Sequence, residues 1–274
     1  MEDVWKNAPQ KNVYRPKNNI NKKVETIEKA GDFDMLFKSE SKTIRSKSTH
    51  SIHEDAFPKT PDAIESLHLS KKSLTDTGLS MLASKLREPH AINALFLAQN
   101  NFGEIGLRAL SDALKANASI RHLILSKNQI TPFAAAALAD LLKVNHFIGW
   151  LVLNNNAIGD DGASFLASAL KKNTGVLHIV LSDNAIGDEG VIALAEALKH
   201  NTTAESLFLS GNPMGITGIL ALTDLLKETS SIKTLDIRNS GEHDKQNVEK
   251  LLYIADKKGI RVFFCSIIKM MLLT

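Results

Sequence analysis

Cysteine is nearly absent from this chain of 274 residues: Cys265 stands alone, so no internal disulfide can form. A disulfide-stapled secreted scaffold is thereby excluded, and a reducing, cytoplasmic setting is expected. No stretch reaches the roughly 20 apolar residues of a membrane span. The nearest, Val262–Leu273, is short and broken by Lys269. The opening Met1-Glu2-Asp3-Val4-Trp5 has no basic region followed by an apolar core, so no secretory signal peptide is expected. Excess charge is also lacking. A formal net charge of +3 gives no reason to expect nucleic acid as a partner. No Ser/His/Asp grouping and no glycine-rich phosphate loop stands on any expected turn, which argues against an enzyme and against a bound cofactor.

What the chain does have is a 28-residue period. Leu67, Leu95, Leu123, Leu151, Ile179, Leu207 and Leu235 recur in phase, each followed two residues later by Leu69, Leu97, Leu125, Leu153, Leu181, Leu209 or Ile237. Three residues ahead of each pair lie Ile64, Ile92, Ile120, Ile148, Val176, Ala204 and Ile232. Asn100, Asn128, Asn156, Asn184 and Asn212 mark a further phase. A strict period of this length specifies a solenoid, whose units touch mainly their neighbours and which offers a long, shallow face.

Each unit reads as a strand followed by a helix. Leu95 and Leu97 are two apart and share one strand face, the interior, while Phe96 points the other way. The asparagine follows where the chain turns, and its amide can satisfy the backbone of its own and the adjacent unit. Gly106, Leu110 and Leu114, with Ala109 and Ala113, form an apolar helical stripe that recurs at Gly162, Leu166, Leu170 and at Gly190, Leu194, Leu198. The glycine is expected to let the helix approach the strand layer. Asp160 and Asp188 read as N-caps of their own helices, and Thr131-Pro132 as a cap followed by proline in the first turn. Asn117, Asn145, Asn173 and Asn201 read as helix-closing residues in the left-handed conformation.

The pattern L-x-x-L-x-L-S-x-N-x-I-G-x-x-G, carried by Val176–Gly190, resembles the ribonuclease-inhibitor-like class of leucine-rich repeats. Ribonuclease inhibitor, the Ran GTPase-activating proteins and the sensor regions of NOD-like receptors belong to that class. The resemblance covers about residues 61–265. It implies an α/β horseshoe, with parallel strands on the concave face and helices on the convex face. Extracellular relatives usually carry cysteine-rich flanks, which this chain lacks.

Residues 1–55 do not repeat and read as a flexible polar segment with a short helix over Val24–Ala30. Residues 56–274 read as the repeat domain: about seven units, a final strand over Val262–Cys265, and a capping tail over Ile267–Leu273. The final strand places Cys265 at an interior leucine position. The asparagine phase fails at Lys72 and Ser240, as atypical terminal units should show.

The outward strand positions carry the candidate binding residues. Between the paired leucines lie His68, Phe96, Ile124, Val152, Val180, Phe208, Asp236 and Phe264. Two residues earlier lie Ser66, Ala94, His122, Trp150, His178, Ser206 and Thr234. Phe96, His122, Ile124, Trp150, Val152, His178, Val180 and Phe208 together form the expected partner-binding surface, exposed by strand alternation and centred on Trp150. Tryptophan and phenylalanine in a groove are hot-spot residue types. His122 and His178 are two strand steps apart, roughly 10 Å, too far to share a metal ion. The expected function is a non-enzymatic scaffold for a protein partner, monomeric when unbound. The resemblance also admits a GTPase activator like the Ran activators. The apolar C-terminus is similar to that of effectors exported by intracellular bacterial pathogens, which would place the scaffold on a host protein.

Overall fold

A computed structural model describes the strand backbone at Thr43–Arg45 and residues 66–241 and 245–264. These residues fall within one compact unit, Ser41–Thr274. Nine strands lie in chain order in one open parallel sheet: β1 (Thr43–Arg45), β2 (Ser66–His68), β3 (Ala94–Phe96), β4 (His122–Ile124), β5 (Trp150–Val152), β6 (His178–Val180), β7 (Ser206–Phe208), β8 (Thr234–Asp236) and β9 (Arg261–Phe263). From β2 onward each strand is followed, before the next, by a helix: α1 (Asp76–Lys85), α2 (Glu104–Leu114), α3 (Pro132–Leu142), α4 (Gly159–Leu170), α5 (Asp188–Lys199), α6 (Ile216–Glu228) and α7 (Lys245–Lys258). The fold is an α/β leucine-rich-repeat solenoid. Strands stack about 4.8 Å apart and packed helices 8–10 Å apart, so the sheet must take the inner side of the curve.

Registration follows the sequence period. Leu67 pairs with Leu95, Leu95 with Leu123, and so on to Leu207 with Leu235. These leucines, their partners two residues on and the inner helix faces make one continuous hydrophobic core.

The asparagine ladder is present. Asn156 Nδ2 donates to the carbonyls of Leu125 (3.1 Å) and Leu153 (2.7 Å), and its Oδ1 accepts from the N–H groups of Asn128 (2.9 Å) and Ile130 (3.3 Å). One side chain thus ties two units together through four bonds. Asn184 repeats the donor half, yet its buried Oδ1 has no hydrogen-bond partner. The turn facing it is displaced: Gly159 takes φ +60°, and its N–H reaches the Asn184 backbone carbonyl instead. Immediately before each ladder position the chain turns left-handed, at Lys71, Gln99, Lys127, Asn155, Asp183, Gly211 and Asn239. Six of these seven residues are not glycine.

Three local expectations are corrected. Asn117, Asn145, Asn173 and Asn201 are not among the described residues with positive φ. From Asn145 onward they form a second ladder instead: Asn173 Nδ2 donates to the carbonyls of Leu142 (2.7 Å) and Asn145 (2.9 Å), bridging to the preceding unit. Asp160 and Asp188 do not cap their own helices. Asp160 Oδ1 accepts from the N–H groups of Gly187 (2.7 Å) and Gly190 (2.9 Å), and Asp188 does the same for Gly215 (2.6 Å) and Gly218 (2.9 Å). Each carboxylate thus satisfies the orphan donors of the next helix. The recurring helical glycine serves this same contact. A Cβ on Gly106 would lie 2.9 Å from the Asp76 Cα, so the close approach is to the preceding helix, not to the strand layer. Thr131 does cap its own helix, accepting from Ala134 N–H at 3.4 Å, with Pro132 in the first turn.

The ends also differ from the reading of the sequence. β1 lies inside the stretch read as a polar segment, with Ile44 paired to Leu67 at a spacing of 23 residues. At the other end Leu235 pairs with Val262, and Asp236 with Phe263. The last unit is one residue short, so Val262 and Phe264 pack toward the core while Phe263 takes the outward position. Phe264 is therefore corrected to an inward position. Cys265, the Val24–Ala30 helix and the Ile267–Leu273 cap lie outside the described residues.

Candidate functional site

The eight candidate residues occupy strands β3 to β7, on the sheet face opposite the leucine core. Registration aligns Phe96, Ile124, Val152, Val180 and Phe208 in one column, and His122, Trp150 and His178 in a second. None of them belongs to the hydrophobic core cluster. Strand alternation therefore sorts the side chains as the sequence implies.

Their exposure is not as expected. Ile124, Val152 and Val180 are 0 % exposed, Phe96 and Phe208 2 %, and Trp150 7 %. His122 and His178 are partly buried. Alternation decides which way a side chain points, and it leaves open whether water reaches it. The apolar row on the outward side is thus closed to solvent, as the leucine side is.

Local contacts fix the aromatic and imidazole rings. The Trp150 and His178 rings lie 3.9 Å apart, and the His68 and Phe96 rings stack at 4.0 Å. His178 Nδ1 lies 3.1 Å from Ser206 Oγ. Burial pushes the His178 imidazole down to about 4, with Glu205 opposing and His122 and Lys233 assisting. Burial likewise lowers His122 to about 4, helped by the neighbouring Arg121 charge. Both rings are neutral near pH 7. No group of three or more metal-ligating side chains occurs among the described residues. Nor, among those residues, is any helix long and apolar enough to cross a membrane.

A third column escaped the sequence reading: Ser70, Ala98, Ser126, Asn154, Ser182 and Ser210. Carrying the alternation two residues past the central column would have found it. Its members bond to one another across the strands: Ser126 Oγ donates to Asn154 Oδ1 at 2.6 Å and Ser210 Oγ to Ser182 Oγ at 2.8 Å. Charge stands in the register of these columns at β1 and β9, with Arg45 opposite His68 and Arg261 opposite Thr234, and at β8, where buried Asp236 accepts from Arg238 Nε (2.9 Å) and Nη2 (2.7 Å).

Fold, repeat and ladders are those of a leucine-rich-repeat solenoid. The family model described as "Leucine Rich repeat" matches residues 116–139, 150–167 and 172–195. Among solved structures the chain is similar to "Leiomodin-1 Actin-Binding Site 2 (ABS2)", at 20% sequence identity and a TM-score of 0.45, covering 49% of this chain and 83% of that one. No curated protein matches the sequence.

Proposed function

We propose that this protein is a non-enzymatic scaffold that holds a protein partner on the outward strand face of β3 to β7. The observation that carries this reading is the row Phe96, Ile124, Trp150, Val152, Val180 and Phe208. These large apolar side chains lie in register over five strands and take no part in the core that holds the solenoid together. The leucine face, the asparagine ladders and the helix-to-helix contacts join unit to unit without this row. Apolar and aromatic side chains gathered in a groove supply the buried centre of a binding surface.

A photo-crosslinking amino acid tests the reading directly. Placed at Val152 of the full chain it should capture a discrete partner, and placed at Lys171 on the helix side it should not. Equal capture from both positions would contradict a strand-face site. The GTPase-activator reading places its chemistry on the rim turns instead, and a turnover assay on purified GTPases separates the two. The scaffold reading extends to the reducing interior of a cell and to an effector delivered into a host cell. Translocation of a reporter fusion tests that extension.

A further inference from the structure

His90 lies in the turn between α1 and β3, and its ring reaches the turn one unit on. Nδ1 accepts from the Ile92 N–H at 3.2 Å, and Nε2 lies 3.0 Å from Asn117 Nδ2. Both neighbours are donors of fixed sense. A backbone N–H can only donate. The Asn117 amide is oriented because its Oδ1 accepts from the N–H groups of Ser119 (3.0 Å) and Ile120 (2.9 Å), which turns Nδ2 toward the ring. Later asparagines at this phase serve the second ladder: Asn145 Nδ2 donates to the carbonyls of Leu114 and Asn117, both at 2.8 Å. One unit before Asn117 the phase holds Pro89, and His90 beside it takes the amide instead.

A neutral imidazole has one bare nitrogen and an imidazolium has none. A proton added to His90 therefore leaves N–H groups facing N–H groups at both ring nitrogens. Ser119 Oγ, 3.3 Å from Nδ1, can turn to accept, but the Ile92 N–H then loses its acceptor at a residue 0 % exposed. The Leu86 carbonyl favours the charged ring. Burial outweighs it and pushes the imidazole below its ordinary 6.5. The charged groups of the surrounding elements are Lys85, Arg87 and Glu88 at the end of α1, Asp112 and Lys115 at the end of α2, and Arg121 before β4. Lys85 pairs with Glu88 and Lys115 with Asp112, and none of the six acts on the ring.

We infer that His90 is a proton-sensitive latch between the first repeat, β2 and α1, and the second, released when its imidazole is protonated. The latch does not rest on the strand-face site proposed above. Released, the ring leaves Asn117 and Ser119, and the turn carrying Ile92 comes free. The open turn takes up its proton near 6.5 and the latched one only below that. The latch therefore contributes fully above about pH 6.5 and weakens as pH falls. Opening stays local, because a repeat is held mainly by its neighbours. His146 stands two units on at the same phase, but it is exposed and bonds Thr174 through Nδ1.

Amide exchange on the full-length protein at pH 7.5 and 5.0 tests the latch, with protection factors corrected for the pH dependence of intrinsic exchange. Between those two values, protection at Leu79 and Leu82 of α1 should fall at least threefold more in wild type than in His90→Gln, whose amide cannot take the proton. Protection at Leu194 and Leu198 of α5 should fall equally in both proteins, and His146→Gln should behave as wild type throughout. An NMR titration of the wild-type imidazole needs no variant: His90 should titrate below 6.5. Equal falls in α1 for wild type and His90→Gln, the same suppression by His146→Gln, or a His90 that titrates at or above 6.5 would each overturn the inference.

Discussion

The Asp160 carboxylate and the Gly190 amide form one two-sided contact. Asp160 Oδ1 accepts the Gly190 N–H at 2.9 Å, and a Cβ built on Gly190 would stand 2.7 Å from that same oxygen. The carboxylate requires the glycine, and the glycine N–H requires the carboxylate. Asp160→Ala should strip the next helix of its cap and cost about 0.5–2 kcal/mol. Gly190→Ala should cost at least as much despite alanine's better helix propensity, because Ile186 Cγ2 also lies 2.7 Å from the added carbon. Urea melts of both variants check this. A stabilised Gly190→Ala would mean that the helices are not locked at this distance.

The asparagine ladder makes a graded prediction. Asn156→Ala leaves the N–H groups of Asn128 and Ile130 without their partner, while the carbonyls of Leu125 and Leu153 each lose one of two amide donors and keep Asn128 Nδ2 and Asn184 Nδ2. The expected loss is about 1–3 kcal/mol. Lys72 occupies the same phase but enters the ladder through its backbone N–H, which donates to Asn100 Oδ1 at 3.0 Å. Lys72→Ala should therefore leave the melting temperature nearly unchanged. Equal losses at the two sites would show that the ladder is not the source of the cohesion.

Lys127 sits at φ 55° with its side chain exposed. A left-handed L-residue costs roughly 1–2 kcal/mol, and glycine removes that cost while adding unfolded-state entropy worth about 0.4–1 kcal/mol. Lys127→Gly should therefore raise stability by a few tenths to about 1 kcal/mol. The same change at Lys143, a right-handed C-cap at φ -63°, should lower it. Differential scanning calorimetry of the pair decides the sign.

The buried imidazoles make stability depend on pH. Both His122 and His178 fall from 6.5 to about 4 in the folded protein. Unfolded chains therefore bind more protons between those values, and stability rises with pH across that window. The contribution is complete above about pH 6.5 and is lost as pH falls toward 4. It is on the order of 1–3 kcal/mol for each ring. Melting temperatures between pH 7.5 and 5 should fall for wild type and fall less for His178→Gln. A parallel decline would place the His178 imidazole in water.

Much of the solenoid was legible because its signals are local and repeated. The spacing of Leu95 and Leu97 fixes a strand face, and the stripe Gly106, Leu110, Leu114 fixes a helix. Contacts between units were less legible. That Asp160 reaches forward to Gly187 and Gly190 depends on how far one helix sits from the next, which no single unit states. The one-residue deletion before Val262 was hidden because Phe263 and Cys265 continue the 28-residue phase as plausibly as Val262 and Phe264 break it. The candidate site was legible in direction but not in exposure. Alternation places Val180 opposite the core, but its solvent exposure depends on more than alternation.

The central claim, that the outward strand face is the partner-binding surface, is tested most directly by a binding titration. The partner captured from the Val152 position is titrated against full-length wild type, Val152→Thr/Val180→Thr and Lys171→Ala. Threonines keep side-chain volume where truncating side chains as buried as Phe208, 2 % exposed, would open cavities, and the double variant's melting temperature is recorded alongside to separate the cost of two buried hydroxyls from lost binding. The expected result is at least tenfold weaker binding by the double variant, about 1.4 kcal/mol, with Lys171→Ala indistinguishable from wild type. Equal affinity for all three proteins would contradict it.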